Sequence, residues 1–442
     1  MNDSASDKIA IEQRALGEQE RLLNNIHRFG GLTGVQVMHL EGPLSSEKVR
    51  AGLNWLQAQH PLLRAHMKIL GPGIAAGMPW FYWRRAFRLE GTRPIPLKLI
   101  RNAQPGDWLD EMQRQLNKPV SGRKMPQVRA VLMRIKDRPE QNIFMLATNH
   151  AIADAQAANM LTRQLLEFFG GTGKTAAEKN AGNLNMSDLP PAMEERVPAK
   201  SRDKNRPYQP AIRLPTAFTW PWQRQTRVVK GELGVEVSKK LNRLLAQKQT
   251  SMHGLLSASA LKFLGRQNNM DELTLLSNVE LRRMCKPKLP DETFGCYIDI
   301  VRTRHRLDVP LWELAAQIKF KLIMTLARDQ GGASLIKMPT WEFYRHEGWA
   351  AIKSGMRLDA ITVTSAEAAD IGSTCGDICL KDLTLCVSLG TVGANYFLIS
   401  MEREGSLRLN LCYMHPGVSD ARAGALLENL IADLKNVVSE GD

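Results

Sequence analysis

No cysteine occurs before position 285 of this 442-residue chain, and the six present stand at 285, 296, 375, 379, 386 and 412. That usage builds no disulfide framework, and the one close pair, Cys375 and Cys379, is too loosely spaced for a zinc or redox motif. A reducing, cytoplasmic setting is expected, with the cysteines serving as small apolar side chains. No apolar run approaches the ~20 residues that span a bilayer. The opening MNDSASDKIA lacks the charged start and apolar stretch of a secretory signal, so neither a leader nor a membrane anchor is expected. Phosphate loops of the GxGxxG or GxxxxGK[ST] kind are also missing. GGTGKT, 170 to 175, has the wrong spacing and follows a helical pattern, so it reads as a glycine helix stop. Zinc-finger spacing, aromatic RNA-binding runs and a long basic arm are absent as well. The formal charge of +14 therefore does not indicate nucleic acid. Its clusters at 199–206, 280–288 and 302–306 read as solvated surface, and the excess favours an anionic small partner or an acidic protein.

What the chain has is 43% hydrophobic residues, enough for a sizeable core in two lobes. Residues 34–40 (GVQVMHL) read as a strand, and 45–59 as an amphipathic helix that Ser45 or Ser46 can cap. A second strand follows within 60–70, then a helix at 107–117, strands at 127–135 and 142–148, and a helix over 155–169. The segment 186–222 is proline-rich, charged and without period, and is taken as the crossing between an N-terminal lobe (1–185) and a C-terminal lobe (223–442). Beyond it, strands are expected at 226–233, 273–281, 295–303, 359–364, 383–389, 395–402 and 406–413. Helices are expected at 235–248, 251–267, 310–328 and 419–438. Strands and helices mix without strict alternation, which predicts α/β sandwiches rather than a doubly wound nucleotide fold.

The chemistry concentrates at ATNHAIADAQAANM, 147 to 160. His150 lies just beyond an apolar strand and Asp154 where the next helix begins. A histidine with a near-neutral pKa at a strand end can take a proton from a hydroxyl or amine that attacks a carbonyl. Asp154 can hold that loop through the imidazole or through an arginine elsewhere. The plainer reading is that Asp154 is a helix N-cap, a preferred residue there without any function.

The HxxxD pattern resembles the HxxxD acyltransferases, the chloramphenicol acetyltransferase-like superfamily that includes nonribosomal-peptide condensation domains. Other stretches carry the same likeness in order: LGEQERLL (16–23), LNWLQAQHPLLRAHM (53–67), TSMHGLLSASALKFL (250–264), SNVELRR (277–283) with FGCYID (294–299), and the closing 407–434. The stand-alone alcohol acetyltransferase and polyketide-associated acyltransferase branch is the nearest in pattern. Asn149 stands where condensation domains carry a second histidine, Ala155 replaces a usual glycine, and a DFGWG motif is missing.

The resemblance implies two chloramphenicol-acetyltransferase-like lobes in a V, with a tunnel between them. It implies acyl transfer from a thioester, acyl-CoA or a phosphopantetheine carrier protein, to a small alcohol or amine. No tightly bound cofactor or metal is implied, and a monomer is expected. His150 would be the general base. Asp154 would pair with the arginine of the HP.LR run, Arg64, in a salt bridge that shapes the loop. Thr364 or Ser365 would donate to the oxyanion, and Asn149 or Asn278 would orient substrate. Asn278, Glu280 and Arg282 alternate and so share one face of a strand. A free-standing condensation enzyme and a non-catalytic scaffold of the same fold are the two alternatives.

Overall fold

The structure, a computed structural model, describes residues 13–71, 84–122, 124–171, 189–197, 211–290, 292–329, 357, 359–367, 371–390 and 393–440. Along the chain run β1 (Gln13–Ala15), α1 (Glu18–Arg28), β2 (Gly31–Glu41), α2 (Ser46–Gln59), a 3-10 turn (Pro61–Arg64), β3 (His66–Gly71), β4 (Arg84–Arg88), β5 (Leu97–Ala103), α3 (Asp107–Leu116), β6 (Val128–Ile135), β7 (Gln141–Asn149) and α4 (Ala155–Gly170). After the short α5 (Met193–Arg196) come β8 (Gln225–Leu233), α6 (Val235–Gln247), α7 (Met252–Asn268), β9 (Glu272–Glu280), β10 (Ile298–Arg306) and α8 (Leu311–Asp329). The rest is β11 (Asp359–Glu367), β12 (Thr374–Cys375), β13 (Ile378–Leu389), β14 (Ala394–Arg403), β15 (Ser406–His415) and α9 (Asp420–Ser439).

These strands form two six-stranded sheets, ordered β12-β13-β2-β7-β6-β5 and β10-β9-β11-β14-β15-β8, and a small sheet β1-β4-β3. The result is a mixed α/β fold with one large core on each six-stranded sheet. Val37, Phe144 and Leu165 belong to the first core, and Leu261, Leu398 and Leu430 to the second. Local sequence explains the helices. Ser45 Oγ accepts from the Lys48 N–H at 3.0 Å and starts α2. Val49, Leu53 and Leu56 then recur at helical spacing and are fully buried. Gly52 lets α4 cross close by: a Cβ there would lie 2.8 Å from the Phe169 ring. Gly171, at φ 68°, ends α4, as the glycine stop requires. Residues 172–175 of GGTGKT lie outside the described residues.

The division at 186–222 does not describe how the chain shares its strands. β13 pairs antiparallel with β2, Leu383 opposite Met38 and Leu385 opposite Gln36, so residues 374–389 complete the first sheet from the second half of the chain. A buried run such as LTLCVSL announces a strand but names no partner. Gly376, at φ 53°, turns the β12–β13 hairpin against the Gly170 carbonyl at the end of α4, where a Cβ has no room. Polar bonds then lace β13 to the second sheet. Lys230 Nζ reaches Thr384 Oγ1 at 2.7 Å, Asn410 Nδ2 donates to the Leu385 carbonyl at 3.1 Å, and the Leu389 N–H donates to Thr226 Oγ1 at 2.9 Å. Strands β1, β4 and β5 were not foreseen, because β1 is short, β4 is mostly arginine around the buried Ala86 and Phe87, and β5 is largely exposed.

Candidate active site

β7 runs apolar and buried to Asn149, and the chain then turns sharply. Asn149 builds that turn. Its Nδ2 donates to Asn24 Oδ1 at 3.2 Å and to Gln127 Oε1 at 3.0 Å, and its Oδ1 accepts from the Ala151 N–H at 3.0 Å. It is fully buried, so the substrate-orienting role considered for Asn149 is corrected to a scaffolding one. The next residue, His150, donates its backbone N–H to the Leu32 carbonyl at 3.0 Å and presents a half-buried ring.

Asp154 does both things the sequence left open. It caps α4, Oδ1 accepting from the Ala157 N–H at 2.8 Å, and it carries an arginine. That arginine is Arg282: Nη1 to Oδ2 at 2.8 Å and Nη2 to Oδ1 at 3.2 Å, with the Tyr297 N–H donating to Oδ2 at 2.8 Å. The expected Arg64–Asp154 bridge is thereby corrected. Arg64 closes the 3-10 turn before β3, while Asp154 faces the paired ends of β9 and β10. Because those strands are antiparallel, Ile298 lies opposite Glu280, and Arg282 and Tyr297 emerge side by side onto one carboxylate. Arg282 also donates to the Gly295 carbonyl at 2.8 Å and to Glu280 Oε1 at 3.2 Å, and its guanidinium lies 5.0 Å from the Tyr297 ring centroid. Burial opposes its charge, but Asp154 and Glu280 outweigh burial and hold its pKa above the ordinary value. Arg282 does not continue the alternation of β9. Leu281 leaves the strand at φ −114°, ψ 1°, and Arg282 opens a 3-10 turn.

The carboxylate is thus turned away from His150, whose ring Nδ1 lies 3.7 Å from Cys296 Sγ. Burial pushes the imidazole pKa below its ordinary value, against a bond to its own backbone and the pull of Asp154. The ring is therefore neutral at pH 7, the form a general base needs. Burial drives the Cys296 thiol well above its usual range, so it stays a neutral thiol.

His150 lines a partly open cavity at the seam of the two sheets, about 710 Å³ with the solvent space at its mouth included. One wall is α1, through Leu22, Leu23 and Ile26. The other is the second sheet, where Arg302, Leu276, Thr362 and Phe397 form one row across β10, β9, β11 and β14. Ile300 and Asn278 form the next row toward His150. Asn278 therefore lines the cavity, and of the two candidate donors on β11 Thr364 continues the register beside Asn278 while Ser365 does not face the cavity. Thr362 is the β11 hydroxyl on the cavity wall. Thr364 lies two residues farther along the same face, and its carbonyl accepts from Ser400 Oγ at 3.4 Å. Ser365 falls on the opposite face with Ile361 and Val363, exposed, its Oγ 3.0 Å from Ser400 Oγ. The reason is phase: one position along a strand exchanges faces. Arg282, Cys296 and Thr362 went unrecognised as site residues. The only sequence signal for Arg282 was its place in the SNVELRR run.

No family model matches the chain, and no curated protein sequence matches it. Solved structures do. The chain is similar to polyketide synthase associated protein 5 from Mycobacterium tuberculosis, at 14% identity and TM-score 0.65, covering 97% of this chain and 99% of that one. It is similar to TRI3 trichothecene 15-O-acetyltransferase from Fusarium sporotrichioides at 12% identity and TM-score 0.68, covering 96% and 95%. The condensation domain of Monacolin K polyketide synthase MokA matches at 12% identity and TM-score 0.64, covering 97% of each chain. The chain shares the fold of these solved structures. Among the described residues no helix is long and apolar enough to cross a membrane.

Proposed function

We propose that the chain is an acyltransferase that moves an acyl group from a thioester to a hydroxyl or amine, with His150 as the base. A neutral imidazole at the mouth of an apolar seam cavity, beside an aspartate turned away onto Arg282, carries this reading. The acceptor O–H or N–H adds to the thioester carbonyl and its proton passes to the imidazole. The tetrahedral oxyanion then collapses, the C–S bond breaks, and the imidazolium returns the proton to the leaving thiolate. With Nδ1 against the Cys296 thiol, Nε2 is the nitrogen for this transfer. Asn278, on the cavity wall one row nearer His150 than Thr362, is the amide that can donate to the oxyanion. Nothing in the step calls for a metal or a resident cofactor.

The donor is acyl-CoA or a carrier-protein phosphopantetheine thioester, and the net charge of +14 suits the phosphates of one or the acidic surface of the other. A condensation-type reaction between carrier-bound partners is the second reading, favoured by the similarity to condensation domains. Thiol release from a panel of acyl-thioesters, with and without a carrier protein, tests the proposal. His150→Ala should lower the rate by about 10²–10⁴-fold. An unchanged rate in that variant removes the base assignment, and a wild type that releases no thiol from any donor supports a non-catalytic scaffold instead.

A further inference from the structure

The cavity beside His150 has a direction. Ala151, next to the histidine, packs with Leu23, Cys296 and Ile298, so the histidine end of the cavity is the Ile298 end of β10. Ile300 and Arg302 follow on the same face at steps of two, and both line the cavity. From Ile298 to Arg302 the strand advances roughly 13 Å, at about 3.3 Å per residue. The wall over that distance is mainly apolar, with the Asn278 amide and the Thr362 hydroxyl as its uncharged polar groups on the second sheet. Leu22, Leu23 and Ile26 face Leu276, Ile300 and Phe397. The charged groups nearby are already matched. Arg282 holds Asp154, and Arg302 holds Asp359 through two bonds at 3.0 and 2.7 Å.

From this geometry, and resting on the acyltransferase reading above, we infer that the cavity is a ruler for the donor's acyl chain. It accepts an unbranched, uncharged chain of about ten carbons, at roughly 1.3 Å per carbon, and Ile300 stands at its midpoint. The thioester carbonyl sits at His150 and the chain runs along β10 toward the row of Arg302, Leu276, Thr362 and Phe397. The amide-bearing pantetheine arm belongs outside, because this wall offers its polar groups few partners. An aminoacyl group is disfavoured for the same reason: its ammonium would enter an apolar slot with every nearby carboxylate engaged.

The test uses binding rather than turnover. S-ethyl, S-hexyl, S-decyl and S-hexadecyl coenzyme A are thioethers that cannot transfer their chain, and their affinities for the full chain are measured by calorimetry. Affinity should rise about fourfold per methylene up to S-decyl and gain little beyond it. In Ile300→Trp the rise should stop near S-hexyl, while Ile300→Ala, which adds no bulk, keeps the S-decyl limit. A cooperative thermal transition in each variant shows that it is folded, and Ile300→Phe, with an intermediate limit, replaces the tryptophan variant if that one is not. Affinity that ignores chain length, or a limit that Ile300→Trp does not shorten, overturns the ruler. Length dependence shown by free alcohols and not by the thioethers assigns the cavity to the acceptor and also overturns it. His150→Ala should keep the length profile. A ruler that survives while turnover proves independent of His150 refutes the base alone, and the converse result refutes the ruler alone.

Discussion

Two aspartate–arginine pairs among the described residues are buried, alike in chemistry and different in what they join. Asp154–Arg282 and Asp359–Arg302 are both bidentate, with side-chain exposures of 1% and 8% in the first and 1% and 6% in the second. The second pair stays within one sheet, linking β11 to β10 across β9, with Thr274 Oγ1 adding a bond to Asp359 at 3.2 Å. The first joins residues 128 apart and ties the start of α4, on the first sheet, to the end of β9 in the second. The same ion pair is thus framework in one place and a clamp on the reactive loop in the other. Burial does not separate the two roles; connectivity does.

Breaking each pair should expose that difference. Asp154→Ala strips Arg282 of its counter-charge and α4 of its cap, so a loss of about 3–5 kcal/mol is expected, with thiol release down at least 100-fold in the molecules that stay folded. Asp359→Ala should cost about 3–5 kcal/mol as well, read as the denaturation midpoint, with a smaller loss of turnover per folded molecule. An equal loss of turnover in the two variants would erase the distinction. Replacing both partners sharpens it. Arg302→Met with Asp359→Leu, and Arg282→Met with Asp154→Leu, should each regain most of the lost stability, because a well-packed apolar pair avoids the desolvation of two charges. Only the first double variant should regain turnover.

Acid should act next in size, and on both regions. Burial lowers the His150 pKa, so turnover should hold as pH falls through 6.5 and decline only below it. Stability has the same sign. His150 takes a proton below about 6.5 when unfolded but only at lower pH when folded, so the unfolded state binds more protons and is favoured as pH falls. His27 and His253, each held at about 4 by burial, add to the loss, which should develop between about pH 6.5 and 4 in denaturant titrations. The smallest effect belongs to the rim of the clamp. Glu280 is part-exposed, so Glu280→Gln should cost about 1 kcal/mol or less, since Arg282 keeps Asp154.

Much of this architecture was readable from one-dimensional pattern. The helical spacing of Val49, Leu53 and Leu56, the serine before α2 and the glycine after α4 are local causes with local effects, and those elements lie where expected. His150 and Asp154 were readable too, because a strand end followed by a helix cap is a local arrangement. Arg282 was not. Its partner is set by the pairing of β9 with β10, and the spacing of 59 lysines and arginines carries no record of which one meets a given carboxylate. Ser365 shows the other kind of failure. Locating β11 was possible, but its phase depends on the sheet it joins, and Thr364 shares the face of Thr362 while Ser365 takes the opposite one.

The hairpin of β12 and β13 has a consequence for how the chain comes to be folded. During synthesis β2 leaves the ribosome more than three hundred residues before the strand that covers its edge. Until then the nascent first sheet carries an open rim of unpaired amides and carbonyls beside β2, the kind of border on which foreign strands add and chains aggregate. A fragment cut near residue 222 would keep that rim for good and should need a chaperone or a second copy to stay in solution. Maturation of the reactive loop on β7, one strand further in, therefore waits until β13 has been made.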